Sequence, residues 1–314
     1  PSNLHSMHDT TMLTACMSTG WTSHIRDVIL GLVREHGLAY TKLDFAVVTS
    51  AYVTDPAISG CYAADHEGHR DQPESFLANY RGLFGLFDEL QEGAPDLFID
   101  CTFETQGKLH LIDYAFLKHA EGNWLANMEA VTPHGALRVR HLAWERTPVI
   151  PAASCVIGNL RLDSPDLEFD FLSLVGTFPI MLGDVRETPA GKREWLRTWS
   201  DWLKEMQVKY DYMSYRQDLR GFGEPGEGRW DGWQRINTET RAGGLVGVFR
   251  QGSPESSRQV TVEGLRPAGR YEVKEGAGGR VLYILSGEEL QQAGFPVSMK
   301  RAYQGKVFEI GISR

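Results

Sequence analysis

Two charged residues in an otherwise apolar stretch are the first sign of chemistry in this chain. Lys42 and Asp44 stand two apart within the run Thr41-Lys42-Leu43-Asp44-Phe45. A strand turns alternate side chains to opposite faces, so both project to the same side. The pair is either a buried ion pair that fixes a protein interior, or a carboxylate kept ionised by a nearby ammonium that also binds hydroxyl groups. As an amine, Lys42 could instead attack a carbonyl, the chemistry of an aldolase or a sugar isomerase. Asp184, at the end of the run FPIMLGD, is placed to touch substrate hydroxyls or, equally, to cap the helix that follows. The cluster Asp65, His66, Glu67, His69, Arg70 and Asp71 offers cation ligands, although such a run is more often a solvated loop. The four cysteines, Cys16, Cys61, Cys101 and Cys155, are far apart and show no Cys-x-x-Cys or Cys/His spacing. Neither a disulfide scaffold nor structural zinc is therefore expected, and no metal or other cofactor.

The elements that must position these residues alternate. Residues 11–17 form a short apolar run with the look of a buried strand, and a helix follows whose apolar positions Ile25, Val28, Ile29, Leu32 and Val33 recur at helical spacing. Thr22 and Ser23 are its candidate caps, and Gly37 ends it. Residues 40–48 read as a second buried strand. A long loop rich in Gly, Asp and His covers 49–72, and Pro73 then opens a helix at a favourable first-turn position. Further strands are expected at 96–102, 122–127, 149–157 and 178–182, with helices at 108–120 and 190–209. Strand and helix alternating in this way imply an α/β fold with a parallel sheet, and strands this short favour a (β/α)8 TIM-type barrel. The pattern supplies six strand–helix units from residue 11 to residue 209. A closed barrel needs eight, so two units, an N-terminal segment of the same protein, are expected upstream.

At 220–232 the texture changes to a Gly/Pro-rich connector, and beyond it the pattern is alternating and hairpin-like. Residues 1–232 are accordingly read as an N-terminally incomplete catalytic barrel and 233–314 as a small antiparallel β-sandwich. The bulk properties agree with a globular protein: 314 residues, 42% apolar and 23% charged, with a net charge of -9. That acidic balance argues against a nucleic-acid partner, because phosphate backbones select for Lys and Arg. No run of about 18 apolar residues exists, so no membrane-spanning helix is expected and the protein is read as soluble, without an assigned compartment. Eight Trp and eleven Tyr supply either core packing or flat faces for stacking sugar rings.

Four segments carry a resemblance to a known family. HGLAYTKLDF is similar to the Lys-x-Asp strand of the clan D glycoside hydrolases, the melibiase or α-galactosidase-like enzymes of families 36 and 27. GHRDQPESFLANYRGLFGLFDELQEGAPDLFIDCT resembles that family's long loop, the next helix, and the strand ending in an acidic residue and Cys, here Asp100 and Cys101. WLAN at 124–127 looks like its Trp-x-Ser-Asp segment, and the stretch from GGLVGVFRQGS through LRPAGRYEV is similar to its terminal sandwich. The resemblance implies a retaining glycosidase cleaving α-linked sugars by double displacement, with an oligosaccharide or glycoside as substrate. A homo-oligomer is left open. Carried over by position, Asp44 is the nucleophile and Lys42 a substrate-binding cation, while Cys101, Lys108 and Trp124 line the sugar pocket.

One position departs from the family. Where it has its acid/base Asp, this chain has Asn127, and an amide cannot deliver a proton. An engineered Asp→Asn change, another carboxyl (Glu104 first, then Asp100 or Asp113), or a catalytically impaired or non-catalytic sugar-binding relative would each account for it. The family's Gly-Gly after the Cys is also replaced, by TFETQG, which rebuilds the pocket floor.

Overall fold

A computed structural model describes residues 2–3, 13–43, 61, 63, 65, 67–102, 115–127, 132–182 and 184–313. The chain divides into two units, Pro1–Ala126 and Asn127–Arg314. In the first, β1 (Ser2–Asn3) and β2 (Leu13–Thr14) pair antiparallel with each other. Of the apolar run at 11–17, the described residues contribute the strand Leu13–Thr14, which pairs with β1. That sheet is built from β3 (Tyr40–Leu43), β4 (Phe98–Thr102) and β5 (Gly122–Asn127). β4 lies between the other two, with Lys42 opposite Asp100 on one side and Thr102 opposite Trp124 on the other.

Two helices cover it. α1 (Trp21–His36) begins ahead of the expected Thr22/Ser23 caps and stops where Gly37 takes φ 67, a left-handed value that glycine adopts without strain. Its amide donates to the Val33 carbonyl at 3.0 Å. α2 (Gln72–Gly93) is capped by Asp71, whose carboxylate accepts from the Glu74 amide at 2.9 Å, while Glu74 reaches back to the Arg70 amide at 2.7 Å. The first of these bonds satisfies a donor that the first helical turn leaves open, and the second fixes the residue that enters it. Leu83, Phe87 and Leu90 of α2 pack with Ile99, Cys101 and Phe116 in one apolar cluster. Each large side chain buried there contributes roughly 1.5–3 kcal/mol.

The second unit holds a parallel pair, β6 (Cys155–Arg161) and β7 (Phe178–Leu182), with Val156 opposite Phe178. Two of its helices, α3 (His134–Arg146) and α4 (Leu167–Leu174), have no counterpart in the sequence expectations, whereas α5 (Ala190–Tyr210) does. An antiparallel sheet follows, made of β8 (Gln217–Asp218), β9 (Arg229–Ile236), β10 (Gly243–Gln251), β12 (Arg270–Glu275), β13 (Val281–Ser286) and β15 (Tyr303–Ile312). Its spatial order is β13-β12-β15-β10-β9-β8. β11 (Ser257–Val260) and β14 (Phe295–Ser298) form a separate antiparallel pair, and a short helix, α6 (Gly287–Gln292), precedes β14. Val246, Val248, Tyr271, Phe295, Phe308 and Ile310 lie at the centre of its apolar core. Among the described residues the strands close into no barrel, so the architecture seen is α/β with parallel and antiparallel sheets. No helix among them is long and apolar enough to cross a membrane.

One ionic group pins four elements of this unit together. Arg140 of α3 donates through Nε and Nη2 to both carboxylate oxygens of Asp231 on β9, at 2.8 and 3.1 Å. Its remaining donors reach Ser173 Oγ on α4 at 2.7 Å and Gln251 Oε1 on β10 at 2.8 Å. Both charged side chains are at most 3% exposed. Burying such a pair costs desolvation, but removing one partner leaves the other charge stranded. Asp231→Ala is therefore expected to destabilise the fold by about 3–5 kcal/mol, read from urea unfolding midpoints.

Candidate functional site

The residues with chemical potential in the first unit sit on the β3-β4-β5 sheet. Parallel neighbours in register point the same way, so Lys42 and Asp100 belong to one face, and the Lys42–Trp124 contact puts the indole there too. The Lys42 ammonium lies over the Trp124 ring, 3.7 Å from its centroid. Trp124 is only 4% exposed, so the indole gives the cation a low-dielectric wall, an interaction worth about 1–2 kcal/mol. Asp100 is fully buried, and the Tyr40 hydroxyl donates to its Oδ2 at 2.6 Å. Tyr40 in turn stacks on Phe98, ring centroids 5.8 Å apart. Burial first, and then the bond to the Asp100 carboxylate, hold the Tyr40 phenol far above its ordinary pKa. It therefore stays a donor throughout the physiological range. The ensemble is an ammonium against an aromatic face beside a buried, hydrogen-bonded carboxylate, a set of groups suited to binding a neutral polyol by its hydroxyls and its C–H faces.

The other sequence-derived candidates fall into three groups. Asp44, Glu104 and Lys108 lie outside the described residues, as do His66 and Asp113. Cys101 is described and fully buried among the apolar side chains of the cluster, and Asn127 is the last residue of β5. Asp184, in the second unit, is exposed; its carboxylate takes the Arg186 amide at 2.8 Å and the Arg186 guanidinium at 2.7 Å. Those bonds hold the Asp184 carboxyl below the usual carboxylate range. It caps no helix, since α5 is preceded by Pro189.

Two features escaped sequence reasoning. Tyr40 stands two residues before Lys42, so the same alternation that singled out Lys42 and Asp44 contained it. In the second unit, a small cavity of about 30 Å³ is lined by Trp144, Arg216, Asp218, Trp233 and Arg235. Arg235 is 2% exposed there, and burial brings its guanidinium down to about 10. Two of its N–H groups are taken by the Tyr215 and Gly176 carbonyls, which makes it a brace between loops.

No protein-family model matches the chain, and no curated protein sequence does. Solved structures do match. The GH36 α-galactosidase AgaA from Geobacillus stearothermophilus superposes with a TM-score of 0.70 and 15% identity over 99% of this chain. The chain is similar in fold to GH36 α-galactosidases. The α-galactosidase from Lactobacillus brevis gives 0.68 and 13% over the same share of this chain. A GH27 β-L-arabinopyranosidase from Geobacillus stearothermophilus, solved with arabinose, gives 0.54 and 12%, again over 99% of this chain and over 67% of its own. The chain spans only 41% of the length of either GH36 enzyme. At the level of fold, the likeness agrees with the clan D resemblance carried by the four sequence segments.

Replacing Tyr40 by Phe removes the phenolic donor from Asp100 and should cost about 1–2 kcal/mol. A phenol pKa raised by folding adds stability in full below the ordinary tyrosine value of about 10, and that stability fades as the pH climbs past it. Urea unfolding at about pH 8 and about pH 10.5 should show a shallower alkaline loss for Tyr40→Phe than for the unsubstituted chain.

Proposed function

We propose that this chain carries the catalytic part of a retaining glycoside hydrolase acting on α-linked sugars, an α-galactosidase-like enzyme with Asp44 as nucleophile. The observation that carries the reading is the meeting of Lys42 with Trp124. They belong to two separate segments, TKLDF and WLAN, each singled out for its likeness to clan D glycosidases, and the fold sets them on one face of one sheet. Similarity to α-galactosidases, one of them crystallised with raffinose, supports the same class of substrate.

In this reading Trp124 covers an apolar sugar face, and Lys42 binds a hydroxyl. Lys108 completes the binding set; Cys101, expected to line the pocket, is instead sealed among apolar side chains on the opposite face of the sheet and is set aside. The Asp44 carboxylate attacks the anomeric carbon, the C–O bond to the leaving group breaks, and a glycosyl ester forms. A carboxylic acid about 5–5.5 Å away protonates the departing oxygen and then, as carboxylate, takes a proton from the water that cleaves the ester. Glu104 is assigned that proton transfer, because the Asn127 amide has no acidic proton to give. The catalytic region is taken as 1–232, with 233–314 as an accessory packing module.

A second reading is favoured by Asn127 itself: a sugar-binding relative that has lost turnover. Covalent trapping separates the two. A 2-fluoro glycosyl fluoride or a cyclitol epoxide should label Asp44, located by peptide mass spectrometry, and Asp44→Ala should abolish the label. Sugar binding by calorimetry with no labelling at all would overturn the enzyme reading. Restoring Asp at position 127 adds a further expected outcome. If the amide blocks an acid site, Asn127→Asp raises turnover of a poor-leaving-group glycoside by about 100-fold or more. Unchanged turnover, together with its collapse in Glu104→Gln, assigns the proton to Glu104.

A further inference from the structure

Three side chains that are remote in sequence converge in the first unit. The sulfurs of Cys16 and Cys61 and a ring nitrogen of His69 all lie within 4.8 Å of one another. The cysteines are 3% and 1% exposed, and both His69 ring nitrogens are buried. The backbone around them is pressed together. A Cβ on Gly68 would fall 2.3 Å from the Ser18 carbonyl and hydroxyl oxygens, and one on Gly82 would fall 2.0 Å from the Met17 carbonyl oxygen. Only glycine allows the loop and α2 to approach this closely.

Buried polar side chains of α2 then fix both cysteines. Asn79 Oδ1 accepts from the Met17 amide at 2.7 Å, while its Nδ2 donates to the Ser75 carbonyl at 2.7 Å and toward Cys16 Sγ at 3.6 Å. Ser75 Oγ accepts from the Cys61 amide at 2.9 Å. Ser75 and Asn79 are at most 1% exposed. Donors oriented by a buried outer layer of hydrogen bonds are the usual architecture around a bound cation.

We propose that Cys16, Cys61 and His69 form a binding site for a thiophilic divalent cation, zinc by its donor set. Two thiolates and an imidazole suit zinc, with a water at the fourth corner. Tetrahedral coordination at the usual bond lengths sets donor atoms about 3.6–3.8 Å apart, a contraction of at most about 1 Å that side-chain rotation supplies. Binding forms two Zn–S bonds and one Zn–N bond and releases the two thiol protons to solvent. The cation would tie residues 16–18 to the loop that enters α2. This inference is independent of the glycosidase reading.

The test uses the whole chain, reduced, stripped with chelator and titrated with Co2+ as an optical probe. One equivalent should develop sulfur-to-cobalt charge transfer and the intense visible bands of a tetrahedral site, and Zn2+ should bleach them. Cys16→Ser, Cys61→Ser and His69→Ala should each remove that spectrum, Asn79→Ala should weaken binding about 10-fold, and Cys155→Ser should leave it unchanged. Should the ligand variants fail to fold, alkylation of the unsubstituted chain decides: Zn2+ should protect Cys16 and Cys61, identified by peptide mass. An absent or octahedral cobalt spectrum, a tetrahedral one that His69→Ala leaves intact, or equal alkylation with and without Zn2+ would overturn the proposal.

Discussion

The parallel register of β3, β4 and β5 is the constraint on which the candidate site depends. Side chains alternate along a strand, so a slip of one residue would turn Lys42 or Trp124 to the opposite face and leave the indole without its cation. Register is enforced from the other side of the sheet. Ile99 and Cys101 alternate with Asp100 and are fully buried in the cluster with α2, so their burial fixes the direction in which Asp100 points. A fully buried carboxylate is costly unless bonded, and Tyr40, four residues before Asp44 on the strand that leads to it, is the donor that makes this position tolerable. Packing on one face thus determines electrostatics on the other.

The second unit solves a related problem by different means. Arg140 is almost wholly enclosed, and its guanidinium is bonded by Asp231, Ser173 and Gln251 from three further elements. It also lies over the Phe249 ring, 4.6 Å from the centroid. The planar fork of arginine suits this role, because it bonds both oxygens of one carboxylate and still reaches two neutral acceptors. Such a knot adds specificity of arrangement more surely than stability. In the first unit, buried polar groups among the described residues include Asp100 and those at the Cys16, Cys61 and Asn79 junction.

Legibility in the sequence followed the regularity of each element. α2 was readable because Pro73 and a long apolar stripe coincide, and the strands at 98–102 and 122–127 because each is short and carries an apolar centre, Phe98-Ile99 and Trp124-Leu125-Ala126. α3 was not readable, since Arg140 and Arg146 occupy buried positions and interrupt the apolar stripe that marks a helix. α4 was hidden by its own pattern: the opening Leu167-Glu168-Phe169-Asp170-Phe171 alternates like a strand, yet Asp166 caps it through the Phe169 amide at 3.2 Å. The strand expected at 149–157 lies at 155–161, displaced by a turn of 3-10 helix at Ala152–Ser154. Within the site, Lys42 and Trp124 were legible from strand periodicity and family likeness. The junction of Cys16, Cys61 and His69 was not, because ligand motifs are recognised by short spacing and this one is assembled by tertiary approach across two glycines.

In the proposed glycosidase reading, Asn127 separates two properties that such an enzyme normally combines. An amide keeps a donor and an acceptor, so it can hold a glycosidic oxygen or a neighbouring hydroxyl in the ground state as a carboxylic acid would. What it lacks is the interaction that strengthens as the leaving oxygen takes on charge, and only interactions of that kind lower the barrier. Affinity for a sugar can therefore persist on a face built from Lys42 and Trp124 while turnover falls. Substrates with good leaving groups need no proton at departure and suffer least, whereas natural glycosides depend on it. The chemical demand of that reading is thus for one acidic proton, supplied by whichever carboxyl the chain brings within reach of the leaving oxygen.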